Sequence, residues 1–389
     1  MVAHRQDMVE YFYSINHMPS QTQSQIQTLL DGSGITLNGT NPWDIQVKNE
    51  AFYNRVLTQG SLGFGESYMD GWWECDAIDE LITRLFSIDV TRRLKTNWKE
   101  IGLLLASSLM NRQAGKRAYK IGEEHYDVGN ELYKAMLDKR MVYTCGYWKD
   151  ATDLDSAQEA KLDLVCKKIG LKAGDRVLDI GCGWGSFAKF AAEKYGASVV
   201  GITVSREQLA LGKKACESLD VELRYQDYRD VNEKFDHIVS LGMFEHVGYK
   251  NYRSYMEVAE RCLKDDGLFL LHTIGTTQSV MSTDPWIEKY IFPNSMLPSL
   301  AQITKSVEKL FVVEDIHNFS VDYDTTLMHW FQNFEKAWPT LNEQYDERFY
   351  RMWKFYLLTC AGSFRSRRNQ LWQIVLSKRG VAGGYQSIR

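Results

Sequence analysis

The chain has 389 residues, 44% of them hydrophobic and 25% charged, with a net charge of −4. That length predicts two domains, and the balance excludes disordered and fibrous classes. Seven scattered cysteines without a CxxC pair speak against a disulfide framework or a structural zinc and for a reducing cytoplasm, and the acidic total speaks against a nucleic-acid partner.

In chain order, residues 1–110 read as a smaller, mostly helical domain. SQTQSQIQTLLDGSG ends in a Gly-rich stop, LGFGESYMDGWWECD at 62–76 reads as a Gly- and Trp-rich connection, and DAIDELITRLF has apolar residues at helical spacing. The N-terminal residues lack the apolar run of a signal peptide, and IGLLLASSLM at 101–110 falls short of a membrane span, so no transmembrane helix is expected. From Arg92 to Lys120 eight basic residues face one acid and bracket that apolar run. Two readings stand for this stretch. One is a surface for anionic membrane headgroups, with Arg92, Arg93, Lys95 and Lys99 in contact, and the other is a solvated helix whose apolar side packs on the protein. Residues 111–122 read as a basic linker, and 123–389 as the catalytic domain.

From Ser156 onward helices and strands alternate. Ser156 with Glu159 reads as a capping box opening a helix that stops at Gly170. Strands are expected at RVLDI (176–180), SVVGIT (198–203), VELRYQD (221–227), FDHIVSL (235–241) and GLFLLHTI (267–274), with helices at 186–195, from 205, and near 251–263. FVVEDI (311–316) and LWQIVLS (371–377) add two later strands, and further helices are expected at 284–310 and 324–364. The order predicts an α/β fold, a doubly wound, mostly parallel, seven-stranded Rossmann-like sheet.

The stretch VLDIGCGWG at 177–185 is a strand end running into a glycine turn and a helix start, a place where backbone N–H groups approach a nucleotide-type ligand. The spacing is GxGxG, not GxGxxG, and Asp179 precedes it. An acid there suits the cationic amino-acid end of S-adenosylmethionine better than a pyrophosphate. No acid stands at the tip of SVVGIT to take ribose hydroxyls; Gln208 is placed for that, and Asp227 for an adenine amino group.

VLDIGCGWG, LGFGESYMDGWWECD, EEHYDVGNELY, YTCGYWKDA, SLGMFEHVG, FLLHTIG, KYIFPN and DYDTTLMHW together resemble cyclopropane-fatty-acyl-phospholipid synthases, related to the mycolic acid cyclopropane synthases. The resemblance runs from about residue 40 to the C-terminus. It implies a class I methyltransferase that uses S-adenosylmethionine to add a methylene across a cis double bond of an unsaturated phospholipid, releasing S-adenosylhomocysteine. It implies cofactor contacts from Tyr143, Thr144, Val177, Asp179, Gly181, Cys182, Gly183, Trp184, Gly185, Thr203, Gln208, Gln226 and Asp227. It also implies a buried bicarbonate held by the backbone N–H groups of Cys145 and Ile274 and by Glu245, His272 and Tyr323. Cys360 matches a cysteine once considered catalytic, a role that is not assigned here. The implied location is cytoplasmic, at the inner membrane face, with a homodimer as one possibility and no metal.

Such chemistry suits these groups. An alkene is a weak nucleophile, so methyl transfer needs alignment, and the resulting carbocation needs dryness, π faces and a proton acceptor. Bland readings stand beside the sharp ones: Glu245 as a helix cap, His272 as a satisfied core histidine, Tyr323 as a turn tyrosine, Cys145 as a buried thiol. Residues 323–372 hold 13 of the 49 aromatics, about twice an even share, either as helix packing or as walls of an acyl tunnel. Two alternatives remain: a methyltransferase of small molecules on the same fold, separated by product analysis, and a membrane-surface binding protein without catalysis, separated by the absence of S-adenosylhomocysteine release.

Overall fold

The structure, a computed structural model, describes residues 21–88 and 129–389. The basic stretch with Arg92, Arg93, Lys95 and Lys99, and the expected linker at 111–122, lie outside the described residues.

The N-terminal part contains helices α1 (Gln21–Leu30), α2 (Ala51–Met69) and α3 (Ile78–Ser87), with a two-stranded ribbon of β1 (Gln46–Val47) and β2 (Trp73–Glu74). Residues 62–69 are the last part of α2 rather than a connection, because the kink falls earlier, at Gly60, whose φ of 58° interrupts the helix. Glycines inside a helix cost stability without forbidding it, and here Gly63 and Gly65 let the helix sit against backbone and the Trp286 ring, where an added Cβ would clash.

After α4 (Asn130–Met136) and α5 (Leu154–Lys168) the alternating series begins: β3 (Arg176–Ile180), α6 (Ser186–Tyr195), β4 (Ser198–Thr203), α7 (Arg206–Ala215), β5 (Val221–Tyr225), β6 (Phe235–Leu241), α8 (Tyr252–Cys262) and β7 (Leu263–Thr276). The N-cap of α5 is Asp153, whose side chain accepts from the Ser156 N–H, with the Ser156 hydroxyl reaching back. The expected cap at Ser156 is therefore corrected by three residues: a carboxylate at the helix start gains from both the free N–H groups and the dipole. The helix does stop at Gly170, with φ 63°.

Then follow α9 (Pro285–Tyr290), α10 (Leu300–Val307), β8 (Val312–Asn318), α11 (Val321–Leu341), α12 (Glu347–Arg365) and β9 (Asn369–Ser377). The helical stretch expected over 284–310 holds two short helices, divided at Pro293 and Pro298, which cannot continue a helix. That expected over 324–364 is α11 and α12, broken by the turn at 342–346.

The seven-stranded sheet has the order β5-β4-β3-β6-β7-β9-β8, with β9 antiparallel to both neighbours and β3, β4, β5, β6 and β7 parallel. Strands run outward in both directions from β3, so the carboxyl ends of β3 and β6 border a crevice at the switch point. On one face β3 places Leu178 and Ile180 in a core shared with α8, and on the other Val177 meets Leu162, Val165 and Cys166 of α5. A third core, the most aromatic, joins the N-terminal helices to α4, α11 and α12: Phe64 stacks on Trp73 with ring centroids 4.5 Å apart, and Phe355 meets Tyr68, Trp73 and Trp286.

Candidate functional site

The glycine turn leaves β3 with Gly181, Gly183 and Gly185 at φ 83°, 55° and 80°, a region that favours glycine. A Cβ on Gly181 would come within 2.6 Å of the Met243 side chain, whereas one on Gly183 would meet nothing within 4 Å. The turn leads directly into α6, with Gly185 as its N-cap, and the first N–H groups of that helix lack helical partners. Asp179 is buried, its Oδ2 has no hydrogen-bond partner, and burial pushes its carboxyl up to about 7. A buried acid with an unsatisfied oxygen beside an open glycine turn is chemically suited to a cationic ligand group.

The next two strand ends complete the corner. Thr203 closes β4 and donates its hydroxyl to Gln208 Oε1 at 3.4 Å, and the Gln226 N–H donates to the Thr203 carbonyl at 3.1 Å. Ser205 caps α7 by accepting from the Gln208 N–H. Asp227 Oδ1 accepts from Arg229 N and Nε, and its Oδ2 from Arg229 Nη2 at 2.6 Å. A carboxylate has about four acceptor positions, which leaves one for a further donor. Cys182 is a buried, neutral thiol, and Trp184 turns away into the aromatic core, donating from Nε1 to Asn130 Oδ1 and packing on Tyr133.

Across the crevice, residues 143–148 form a strap. The Thr144 carbonyl accepts from Gln158 Nε2 and its hydroxyl from Lys161 Nζ, both at 2.7 Å. Thr326 takes the Gly146 N–H and Trp148 Nε1, and Asp322 takes the Trp148 N–H. The Tyr143 hydroxyl bonds that of Tyr356 at 2.8 Å, and its ring lies 5.2 Å from Trp330. Tyr323 stacks on Phe364 with centroids 4.4 Å apart and meets Trp330 edge-on. Cys145, Trp184, Ile274, Tyr323 and Cys360 all belong to or pack on this one aromatic core. Burial pushes the Cys360 thiol up to about 12, leaving little nucleophilic thiolate near neutral pH.

Glu245 stands on a short turn after β6. Because β6 ends opposite His272, the Ile274 N–H of β7 has no strand partner on that side and donates to Glu245 Oε1 at 2.6 Å. This corrects the expectation of a free Ile274 N–H: the carboxylate itself takes it. Glu245 Oε2 is buried without a partner, and burial raises the carboxyl to about 7. On β7, His272 Nδ1 receives Gln373 Nε2 of β9 at 3.3 Å, so the ring proton belongs on Nε2, which is buried without a protein acceptor. Burial and two lysine cations hold this imidazole neutral. His272 Nε2 is thus a buried donor and Glu245 Oε2 a buried acceptor without protein partners.

With this geometry in hand, the relatives are informative. The mycolic acid cyclopropane synthetase family matches residues 113–374. The chain belongs to this family. It is 54% identical over 361 residues to the cyclopropane-fatty-acyl-phospholipid synthase of Escherichia coli K12, covering 93% of this chain and 94% of that one. The mycolic acid cyclopropane synthase CmaA1, solved with SAH and CTAB, superposes with a TM-score of 0.63 at 29% identity, over 67% of this chain and 98% of that one. Coclaurine N-methyltransferase, 22% identical with a TM-score of 0.66 over 81% of this chain and 98% of its own, shares the class I methyltransferase fold. Family membership makes the chain an S-adenosylmethionine-dependent methyltransferase, in agreement with the acid and glycine pattern at 177–185.

Lys161, Gln158 and Gln373 carry no motif that marks them in the sequence, whereas Trp330 and Tyr356 belong to the aromatic cluster at 323–372. For the first two a signal existed: both fall on the stripe of α5 that also holds Leu154, Ala157, Leu162 and Val165, a polar pair written into an apolar face. Gln373 is paired to His272 only by strand register, which sequence does not print.

Proposed function

We propose that the chain converts unsaturated acyl chains of membrane phospholipids to cyclopropane acyl chains with S-adenosylmethionine as the one-carbon source. The carrying observation is that Glu245 Oε2 and His272 Nε2 are each buried without a protein partner in a chain whose aromatic core borders the glycine corner. S-adenosylmethionine supplies an electrophilic sulfonium methyl group. In the proposed reaction an alkene carbon forms a bond to that methyl as the sulfur–carbon bond breaks. The neighbouring carbon becomes cationic, and loss of one proton from the transferred methyl closes the ring.

The residues divide this work. Asp179 receives the cofactor's ammonium, the backbone of 181–185 follows its amino-acid end, Thr203 and Gln208 serve the ribose, and Gln226 and Asp227 the base. Tyr143, Trp330, Tyr323 and Phe364 present ring faces in a dry environment, where a cation is stabilised and water is kept from it.

The donor and acceptor set also fits bicarbonate, an anion with both acceptor oxygens and a hydroxyl. His272 Nε2–H, the Cys145 N–H and the Tyr323 hydroxyl would hold its oxygens, and Glu245 Oε2 its hydroxyl. When bound, it supplies a compact proton acceptor. Glu245, raised to about 7, is matched to holding a proton near neutral pH. Attachment to the membrane is proposed to be peripheral, through contact of the basic residues between Arg92 and Lys120 with anionic headgroups; no helix among the described residues is long and apolar enough to cross a bilayer.

The deciding test is incubation with methyl-labelled S-adenosylmethionine and vesicles of monounsaturated phospholipid, followed by gas chromatography of the fatty esters. Label is expected in a ring-bearing ester, with equimolar S-adenosylhomocysteine. Label in a simple methylated product, or none in lipid, overturns the reading.

A further inference from the structure

Lys161 is fully buried in α5, an unusual place for an ammonium group. Its Nζ donates to the Thr144 hydroxyl, and one turn earlier Gln158 donates to the Thr144 carbonyl. From the other side the Thr144 methyl lies so close to the end of β6 that a Cβ on Gly242 would come within 2.7 Å of it. Thr144 is thus fixed at hydroxyl, carbonyl and methyl, and with it the flanking Tyr143 and Cys145.

A neutral donor would suffice for that hydrogen bond, so the charge needs its own explanation. Side chains alternate along a strand, so Val177 and Asp179 share a face of β3, and Val177 packs with Leu162 and Val165 of α5. Asp179 therefore points to the side where Lys161 lies. The groups that sense the Lys161 charge come from four places: Asp138 from the loop after α4, Cys145 from the strap, Asp179 from β3 and His272 from β7. Around Asp179, Cys182 of the turn and Tyr255 of α8 are pushed up by burial and stay neutral.

We propose that Lys161 is a positioning residue for the cofactor site, a built-in cation that favours the ionised form of Asp179 against its burial while setting the strap from Tyr143 to Cys145. This rests on the reading of Asp179 as the partner of the cofactor's ammonium. Burial lowers Lys161 to about 8, which leaves it protonated at neutral pH. It opposes the burial that raises Asp179 to about 7, so its removal sends Asp179 higher and makes the acid harder to ionise.

The test is calorimetric binding of S-adenosylhomocysteine to the full chain between about pH 5.5 and 8.5. Wild-type affinity is expected to fall about tenfold per unit below about pH 7. In Lys161→Met this acid limb moves to higher pH, so affinity near pH 7 drops several-fold. Lys161→Gln, which keeps a donor for Thr144, moves the limb equally and decides the matter should the Met variant fail to fold; Lys161→Arg leaves it in place. Limbs of the Met and Gln variants that coincide with wild type, whatever the overall affinity, overturn the inference. A wild-type affinity that is flat across the range instead overturns the reading of Asp179.

Discussion

At the level of single residues, Asp179 ties stability against function. Its pKa is raised from 3.8 to about 7 by burial, so between those values the native protein retains a proton that the unfolded chain has released. Stability then falls as pH climbs from about 4 to about 7, and above that the full cost is present. Asp179→Asn removes that cost: the free protein is expected to be more stable at pH 8 by on the order of a few kcal/mol, with a smaller gain at pH 5. The same variant should lose protection by S-adenosylhomocysteine. Thermal melts at both pH values, with and without the ligand, check both halves, and a variant that melts no higher at pH 8 refutes the cost assigned to the buried carboxylate. Glu245 gives a second case with a kinetic readout. A carboxyl raised to about 7 accepts a proton only in its ionised form, so kcat is expected to rise from pH 6 to pH 8. Glu245→Gln, with one acceptor oxygen left and already facing the Ile274 N–H, should cut kcat by about 10²–10⁴-fold while leaving S-adenosylhomocysteine affinity within a few-fold. Full activity in that variant removes Glu245 from proton handling.

At the scale of elements, the strands were legible because each is a short apolar run bounded by glycine or polar turns, as in RVLDI before GCGWG. The helix boundaries were less so. Asp153 competes with Ser156 for the α5 cap by offering a charged acceptor three residues earlier, and α2 continues through Gly63 and Gly65 because tertiary packing on Trp286 outweighs the local cost of glycine. The candidate site was readable where the chain itself brings groups together, as at Asp179 with Gly181, Gly183 and Gly185. It was unreadable where register or helix facing does so, as with Gln373 behind His272 or Lys161 beneath Thr144. The glycine turn is where an element-level prediction is sharpest. Gly181→Ala places a Cβ at φ 83° against Met243 Cβ and Cγ, combining backbone strain with a contact that the flexible end of the methionine cannot relieve. A loss of about 1–3 kcal/mol is expected in denaturant unfolding, together with weakened S-adenosylhomocysteine binding. Gly183→Ala, at φ 55° with open space around its Cβ, should lose only the roughly 1 kcal/mol of its left-handed backbone, less than Gly181→Ala, yet bind the ligand poorly if the methyl group occupies the side from which a ligand approaches. Equal behaviour of the two variants would contradict the division of the turn into a packed and an open side.

For the whole molecule, the question is how a catalytic crevice reaches an acyl chain inside a bilayer. The N-terminal helices share one aromatic core with α11 and α12, the layer that also holds Tyr143, Tyr323 and Trp330. Polar contacts fasten the two parts further: Glu66 of α2 pairs with Lys289 and accepts from the Tyr290 hydroxyl, and Arg351 of α12 pairs with Glu74 and donates to the Tyr68 and Trp73 carbonyls. Anything that fixes the N-terminal part on a membrane therefore fixes the aromatic slot as well. The sequence between those parts has eight basic residues against one acid from Arg92 to Lys120 in a chain of net charge −4, so attraction to anionic headgroups is local, at about 1 kcal/mol for each basic residue near the surface, and screened over about 10 Å at 0.1 M salt. Reversing Arg92, Arg93 and Lys95 to glutamate is expected to lower sedimentation with anionic vesicles by at least tenfold at low salt and to leave S-adenosylhomocysteine affinity unchanged. Activity on vesicles should fall in parallel, whereas activity on a detergent-dispersed lipid should not. Sedimentation that matches wild type would assign the membrane contact to another surface of the protein.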